Sequence, residues 1–280
     1  MYRIIKKEIL ADSVKRIIVE APLVSVNAKA GQFVVVMIEE SGERIPLTLA
    51  DTDKSKGLIS LIFQEVGFTT KKLGLLNEGD TLFAVLGPLG KPTHSEKVGT
   101  VICIGGGVGI AEVYPVSRAF KEAGNHVIGI IGARSKELLI LEEEMKKVCE
   151  ELFVTTDDGS YGRKGFVTDV LKEQLDKIAN AKDTNNCLVY AIGPVPMMAR
   201  VADVTRPYNV KTVVSLNPIM VDATGMCGSC RVTVAGETKF GCVDGPEFDA
   251  HQVDFKELTE RLSFFKQQEQ ECLNKNCPRK

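Results

Sequence analysis

The chain has 280 residues, enough for about two domains with full hydrophobic cores and no need of disulfide staples. Its 44% hydrophobic and 26% charged residues suit a packed globular chain, and a formal net charge of −2 argues against a nucleic-acid partner. No apolar run approaches the roughly 20 residues of a membrane helix, and the opening MYRIIKKEILADS has no signal-peptide core, so neither membrane insertion nor export is expected.

Residues 1–96 read as all-β. RIIKKEIL, KRIIVEA, GQFVVVMIE, GLISLIFQEV and DTLFAVLGP are short strand-like runs punctuated by Gly, Asp, Asn and Pro. They predict a small antiparallel barrel of about six strands, with one short helix over Thr70–Leu76. Within it, GERIPLTLAD sets Arg44 at a strand end, followed by Pro46, Leu47 and Thr48. A guanidinium there can fork onto a phosphate, and a hydroxyl can approach a ring nitrogen. In IFQEVGFTTKK, Gly67, Thr69 and Thr70 open the short helix and offer a pyrophosphate cradle. An isolated exposed arginine is ordinarily only a solvated charge. The order of these features, ahead of a nucleotide-binding pattern, is what gives them weight.

Residues 97–216 alternate strands and helices. TVICIGG, HVIGIIGA, ELFVTTDD, CLVYAIG and VKTVVSL read as strands. VYPVSRAFKEAG, KELLILEEEMKKVCE, GFVTDVLKEQLDKIAN and PVPMMARVADVTRPYN read as helices. Continuous apolar strands separated by helices predict a parallel sheet covered on both faces. Its first turn, CIGGGVGIAEVYP, contains Gly106, Gly107, Val108 and Gly109, with Pro115 expected to start the helix. Such glycines admit a pyrophosphate to the positive end of a helix, although Ile110 stands where a strict GxGxxG has its third glycine. After the second strand, Ala133, Arg134 and Ser135 replace the acidic residue that commonly holds an NAD ribose; alone, Arg134 hints at a 2′-phosphate. Asp157, Asp158 and Gly159, and then Gly193 and Pro194, fall at later strand ends around the same crevice. For the aspartate pair a solvated turn is the better reading than acid–base work.

Residues 217–280 form a small terminal unit. It contains Cys227, Cys230 and Cys242, a hairpin-like RVTVAGETKFGC, and one expected helix, VDFKELTERLSFFKQQEQ. The face Phe255, Leu258, Leu262, Phe265 is expected to pack on its own chain. Of eight cysteines, Cys103, Cys149 and Cys187 lie singly in apolar runs, and five follow residue 220. That distribution suits a metal site in a reducing, cytoplasmic setting and not a disulfide framework. The plant-type 2Fe–2S template C-x4-C-x2-C…C matches at Cys227, Cys230 and Cys242, with Asp222 in its first position. A carboxylate has the thiolate's charge and can bind iron. The CxxC pair alone suits zinc equally well; the complete spacing and the glycines favour iron–sulfur. Cys272 and Cys277 are rival fourth ligands in a polar tail. No Ser-His-Asp or Cys-His order suggests nucleophilic catalysis.

Over essentially its whole length the chain resembles the ferredoxin–NADP reductase superfamily. RIPLT is similar to the flavin motif of that family. IFQEVGFTTKKL, with Gln64, Gly67, Thr69 and Thr70, is similar to its second flavin segment, and CIGGGVGIAEVYPVSRAF to its nicotinamide loop. The resemblance is strongest to the branch with a C-terminal 2Fe–2S site. That branch holds the electron-transfer subunit of dihydroorotate dehydrogenase B and the small subunit of NADH-dependent ferredoxin:NADP oxidoreductase. Asp222, where the dihydroorotate subunit has cysteine, resembles the latter. The resemblance implies an FAD-binding β-barrel over 1–96, an NAD-binding α/β domain over 97–216 and a 2Fe–2S domain over 217–280. It implies FAD held by Arg44, Pro46, Leu47, Thr48, Gln64, Gly67, Thr69 and Thr70. It also implies NAD(H) at the glycine loop, although the local reading of Arg134 hints at NADP. The partner implied is a large subunit carrying another FAD, 4Fe–4S clusters and NADP(H), reached by ferredoxin. The other readings are a dihydroorotate dehydrogenase subunit and a zinc-stapled nucleotide-binding module without redox activity.

Overall fold

The computed structural model describes residues 1–276. Strands β1 (Tyr2–Ala11), β2 (Val14–Glu20), β3 (Phe33–Met37), β4 (Ile45–Asp53), β5 (Leu58–Gln64), β6 (Thr81–Leu82) and β7 (Ala84–Leu89) make one antiparallel sheet. Their order is β6-β1-β2-β5-β4-β3-β7. The two edge strands are separated in sequence by Phe83 alone, so the sheet curls round and nearly closes, which shields its edges. Alternate residues (Ile17 and Val19, Val34 and Val36, Leu47 and Leu49, Ile59 and Leu61) fill the interior. Helix α1 (Pro22–Asn27) was not legible in sequence, whereas α2 (Phe68–Leu75) falls close to the expected helix. The Gly67 N–H at its start donates to Thr70 Oγ1 at 3.0 Å. The run DTLFAVLGP is two strands and not one, and β4 adds a strand where Pro46 and polar residues had blurred the alternation.

The second sheet starts with β8 (Thr100–Gly106), β9 (His126–Ala133), β10 (Glu151–Thr156), β11 (Arg163–Lys164), β12 (Cys187–Ile192) and β13 (Lys211–Ser215). The chain then forms the hairpin β14 (Arg231–Val234) and β15 (Glu237–Phe240), and returns as β16 (Glu247–Asp249). The order is β11-β10-β9-β8-β12-β13-β16, all parallel except β16, which runs antiparallel to β13. The terminal segment therefore stitches itself onto the nucleotide-type sheet. Helices α3 (Ile110–Glu122) and α4 (Glu142–Val148) cover one face through Ile110, Val113, Val116, Phe120 and Met145. Helices α5 (Val167–Asn180) and α6 (Val195–Thr205) cover the other through Val170, Leu171, Leu175, Met198 and Val201.

Three expectations need correction. Helix α3 starts at Ile110, so Pro115 lies inside it and does not open it. Only α4 is helical in the segment from Lys136 to Glu150, apart from a 3-10 turn at Lys136–Leu138. Ile140 and Leu141 dive into the core first, and Leu141 takes a left-handed φ of 58° just before the helix. The single C-terminal helix is two: α7 (Phe255–Ser263) and α8 (Lys266–Asn276), parted at Phe264 and Phe265. Leu258 is buried and Phe255 and Leu262 are half-buried against the core, but KQQEQEC beyond offers no apolar face. Among the described residues no helix is long and apolar enough to cross a membrane.

Candidate functional site

The carboxyl ends of β10, β9, β8 and β12 lie side by side in the parallel sheet, the side on which open α/β sheets take ligands. Gly107 leaves β8 with a left-handed φ of 56°, and a Cβ there would meet nothing within 4 Å, so the loop is open to a ligand. Gly109 serves packing instead: a Cβ on it would lie 2.6 Å from the Ile192 carbonyl. Gly106 and Gly193 approach each other closely beneath Met197. Ala133 is buried and Arg134 exposed at the neighbouring strand end. The Asp157 N–H donates to the Ala133 carbonyl at 3.1 Å, which brings two expected segments together. Asp158 accepts from the Ser160 N–H and hydroxyl, which hold its carboxyl below the ordinary range; it is a turn residue. Pro194 begins the turn into α6, and Val108 lies in the 3-10 turn before α3.

On the barrel, Arg44 is exposed just before β4, and Pro46, Leu47 and Thr48 follow on that strand. Among the described residues neither Arg44 nor Arg134 forms an ion pair within the chain. Leu47 points into the barrel core, while Thr48 is half-buried on the outer side. Thr69 donates to Glu43, tying the start of α2 to the β4 loop. Gln64 ends β5 opposite Val14. Thr48 pairs with Phe33 across the β3–β4 ladder, on the same face of the sheet.

That outer face is where three parts of the chain meet. Phe33 and Val35 share a small apolar core with Ala223, Cys230 and Cys242. The Thr48 hydroxyl donates to Glu112 Oε2 at 2.8 Å. Glu112, in the first turn of α3, is only 6% exposed, and burial pushes its carboxyl up to about 7 against hydrogen bonds from Ser215 and Thr48. Tyr190 on β12 lies 3.4 Å from Glu112 Oε1 and donates to Glu247 Oε1 at 3.0 Å. Burial raises Glu247 as well, opposed by its bonds from Thr93 and Tyr190.

Cys230 and Cys242 are buried with their sulfurs 3.2 Å apart, and burial pushes Cys242 up to about 12. Their loop turns through left-handed Ala223, Gly225 and Gly228. Cys227 is exposed and lies 3.1 Å from the Ser229 hydroxyl, which lowers its thiol. Asp222 accepts the Thr224 and Cys227 N–H groups, each at 2.8 Å, and those bonds hold its carboxyl low. The structure thus joins Cys230 to Cys242 and Asp222 to Cys227. Among the described residues no three such ligands converge on one metal position. Cys272 sits on α8, which packs against α2 of the barrel; Cys277 lies outside the described residues. Cys103, Cys149 and Cys187 are buried, and desolvation pushes each thiol up to about 12, as expected of inert core cysteines.

Sequence reasoning missed Glu112, Tyr190, Ser215, Thr93 and Glu247. The available signal was a lone carboxylate, Glu112, in the apolar start of α3 (GIAEVYP). The others come from separate elements, and no spacing in the chain reveals their meeting.

Residues 103–203 match the family model described as the oxidoreductase NAD-binding domain. Residues 217–254 match that of the iron-sulfur cluster binding domain of dihydroorotate dehydrogenase B. A dihydroorotate dehydrogenase B (NAD(+)) electron transfer subunit homolog from Thermotoga maritima is 48% identical, over 95% of this chain and 92% of its own. The dihydroorotate dehydrogenase B (NAD(+)) electron transfer subunit of Shouchella clausii is 31% identical, over 89% and 96%. A chain of the NADH-dependent reduced ferredoxin-NADP oxidoreductase, solved in the context of flavin-based electron bifurcation, superposes with a TM-score of 0.90. It is 46% identical, over 98% of this chain and 97% of that one.

Proposed function

The chain belongs to the ferredoxin–NADP reductase superfamily, in the family of dihydroorotate dehydrogenase B-type electron-transfer subunits, and from that premise we propose that it carries electrons from NADH to a large partner subunit. It is an oxidoreductase subunit whose cofactors are FAD, a 2Fe–2S cluster and NAD(H). When bound, the flavin exchanges a hydride with the nicotinamide and gives up electrons singly through the iron–sulfur cluster.

The residues present fit these groups. Gly107 leaves backbone open for a pyrophosphate at the start of α3, with Gly106, Val108 and Gly109 shaping the turn. Ala133, Arg134, Asp157, Gly159, Gly193 and Pro194 line the rest of the nicotinamide crevice. Arg44 and the start of α2, Gly67 to Thr70, hold the FAD phosphates, and Pro46, Thr48 and Gln64 bound its ring, to which Leu47, its side chain in the barrel core, offers backbone alone. The donor set Asp222, Cys227, Cys230 and Cys242 suits iron, and metal binding releases the proton that burial keeps on Cys242. Asp222, which accepts two N–H bonds, would still have lone pairs to offer iron.

The observation that carries this reading is the shared core of Phe33, Val35, Cys230 and Cys242. Phe33 is the ladder partner of Thr48, so one residue pair separates the strand facing the flavin from the buried sulfurs. The finer reading is the small subunit of an electron-bifurcating NADH-dependent ferredoxin:NADP oxidoreductase. Its partner then carries a second FAD, 4Fe–4S clusters and an NADP(H) site, and ferredoxin acts through the complex. The 46% identity to a chain of that enzyme and Asp222 support it. The second reading, a dihydroorotate dehydrogenase subunit, is favoured by the names of relatives such as those from Thermotoga maritima and Shouchella clausii. Purification of the native complex separates them: NADPH- and ferredoxin-dependent NAD reduction is the expected outcome, and dihydroorotate-dependent NAD reduction overturns the finer reading.

A further inference from the structure

The buried polar chain from Thr48 to Glu247 has no role in holding cofactor phosphates or iron. Its links are continuous: Thr48 Oγ1 to Glu112 Oε2 at 2.8 Å, Glu112 Oε1 to the Tyr190 hydroxyl at 3.4 Å, and that hydroxyl to Glu247 Oε1 at 3.0 Å. Thr93 donates to the same Glu247 oxygen, beside the exposed His94. The members come from β4, α3, β12, β16 and the segment joining the two sheets. Buried carboxyls are normally paired with cations, since an isolated one is costly. Among the described residues neither Glu112 nor Glu247 has a cationic partner. Gly31 belongs to the same arrangement: a Cβ there would lie 2.3 Å from Thr93 Oγ1 and 2.6 Å from Glu247 Oε1.

We propose that Thr48, Glu112, Tyr190 and Glu247 form a proton conduit from the flavin ring to the surface beside Thr93, with Glu112 as the first proton-holding group. The proposal rests on the reading that Thr48 meets the flavin ring. A hydride brings two electrons and one proton. The electrons leave one at a time through the iron–sulfur cluster to the partner's acceptor, and the cluster carries no proton, so the proton needs its own exit. Thr48 takes it on Oγ1 as the ring N–H bond breaks, and passes its own hydroxyl proton to Glu112 Oε2. Glu112, protonated on Oε1 at the outset, gives that proton to the Tyr190 oxygen in the same step and so stays neutral, while Tyr190 protonates Glu247, which releases a proton to water past Thr93. No net charge accumulates along the path. The groups facing Glu112 are Thr48 on β4, Tyr190 on β12, Ser215 on β13 and Glu247 on β16; of these Tyr190 and Glu247 titrate. The rise of Glu112 to about 7 suits a residue that must both accept and release a proton near neutrality.

Infrared difference spectroscopy tests this on the chain loaded with flavin and cluster, and on the flavin-free chain titrated with pH. The flavin-free wild type should show a carboxylic acid band that titrates near neutrality, lost in Glu112→Gln. Reduction by NADH should perturb that band in the wild type and leave Glu112→Gln silent. Tyr190→Phe keeps the band but should slow flavin reoxidation at least about tenfold, with an enlarged solvent deuterium effect. Bound, reducible flavin with no carboxyl response, or wild-type reoxidation in both variants, overturns the conduit alone. A chain that takes up no flavin overturns the reading of Thr48, and the conduit with it.

Discussion

Asp222 stands where the 2Fe–2S template has cysteine, and both its oxygens already order the loop that carries Cys227. Asp222→Cys should still assemble a cluster, with a changed EPR signature and potential, because a hard oxygen ligand becomes a soft thiolate. Unchanged spectra and potential would count against Asp222 as a ligand. Glu112 makes a prediction on stability. Its carboxyl lies above the ordinary 4.5, so the native chain keeps a proton that the unfolded chain releases. Stabilisation from that proton is complete below 4.5 and is lost as pH rises through about 7. Urea unfolding of the flavin-free chain should therefore show wild type losing roughly 3 kcal/mol relative to Glu112→Gln between about pH 4 and pH 9. Parallel pH profiles would contradict this. Residue types at fixed spacing (RIPLT, GGGVG, CxxC) were legible in the sequence. Glu112 was not, since a glutamate in the first turn of a helix is ordinarily a solvated charge, and only the meeting of α3 with β4, β12 and β13 buries it.

At the scale of elements, the loop between β8 and α3 combines an open glycine with a packed one. Gly107→Ala places a methyl in the open space and strains a left-handed residue by about 1 kcal/mol. It should raise the Kd for NADH at least about tenfold while shifting the thermal midpoint only slightly; unchanged NADH affinity would remove Gly107 from the site. Helices α7 and α8 divide at Phe264 and Phe265. Leu258→Ala in α7 should cost about 2–5 kcal/mol, because its side chain is buried in the core of the parallel sheet. Phe264→Ala, at a residue 77% exposed, should change stability by less than about 0.5 kcal/mol. Equal costs at both positions would contradict the division. Strands HVIGIIGA and TVICIGG were readable because strands buried on both faces are continuous apolar runs. The helix over 136–150 and the unbroken C-terminal helix were over-read. Charge-rich periodicity shows that a helix is permitted, not where the core stops supporting it.

At the scale of the whole molecule, the sequence showed three successive patterns, and the structure adds how they interlock. The last segment both packs its cysteines on β3 and lends β16 to the parallel sheet. Thr48 lies at the junction, opposite Phe33 on the ladder and bonded to Glu112 of α3. Contacts between elements distant in sequence leave no local period, so neither the sulfur-to-barrel packing nor the edge strand could be read from the chain. The central claim is that electrons entering from NADH cross this junction to the cluster. Anaerobic addition of NADH to the chain reconstituted with FAD and iron–sulfur, followed by flavin absorbance and EPR, tests it most directly. The account predicts flavin bleaching followed by the EPR signal of a reduced 2Fe–2S centre. A flavin that bleaches beside a cluster that stays oxidised, or a colourless chain holding zinc, contradicts it.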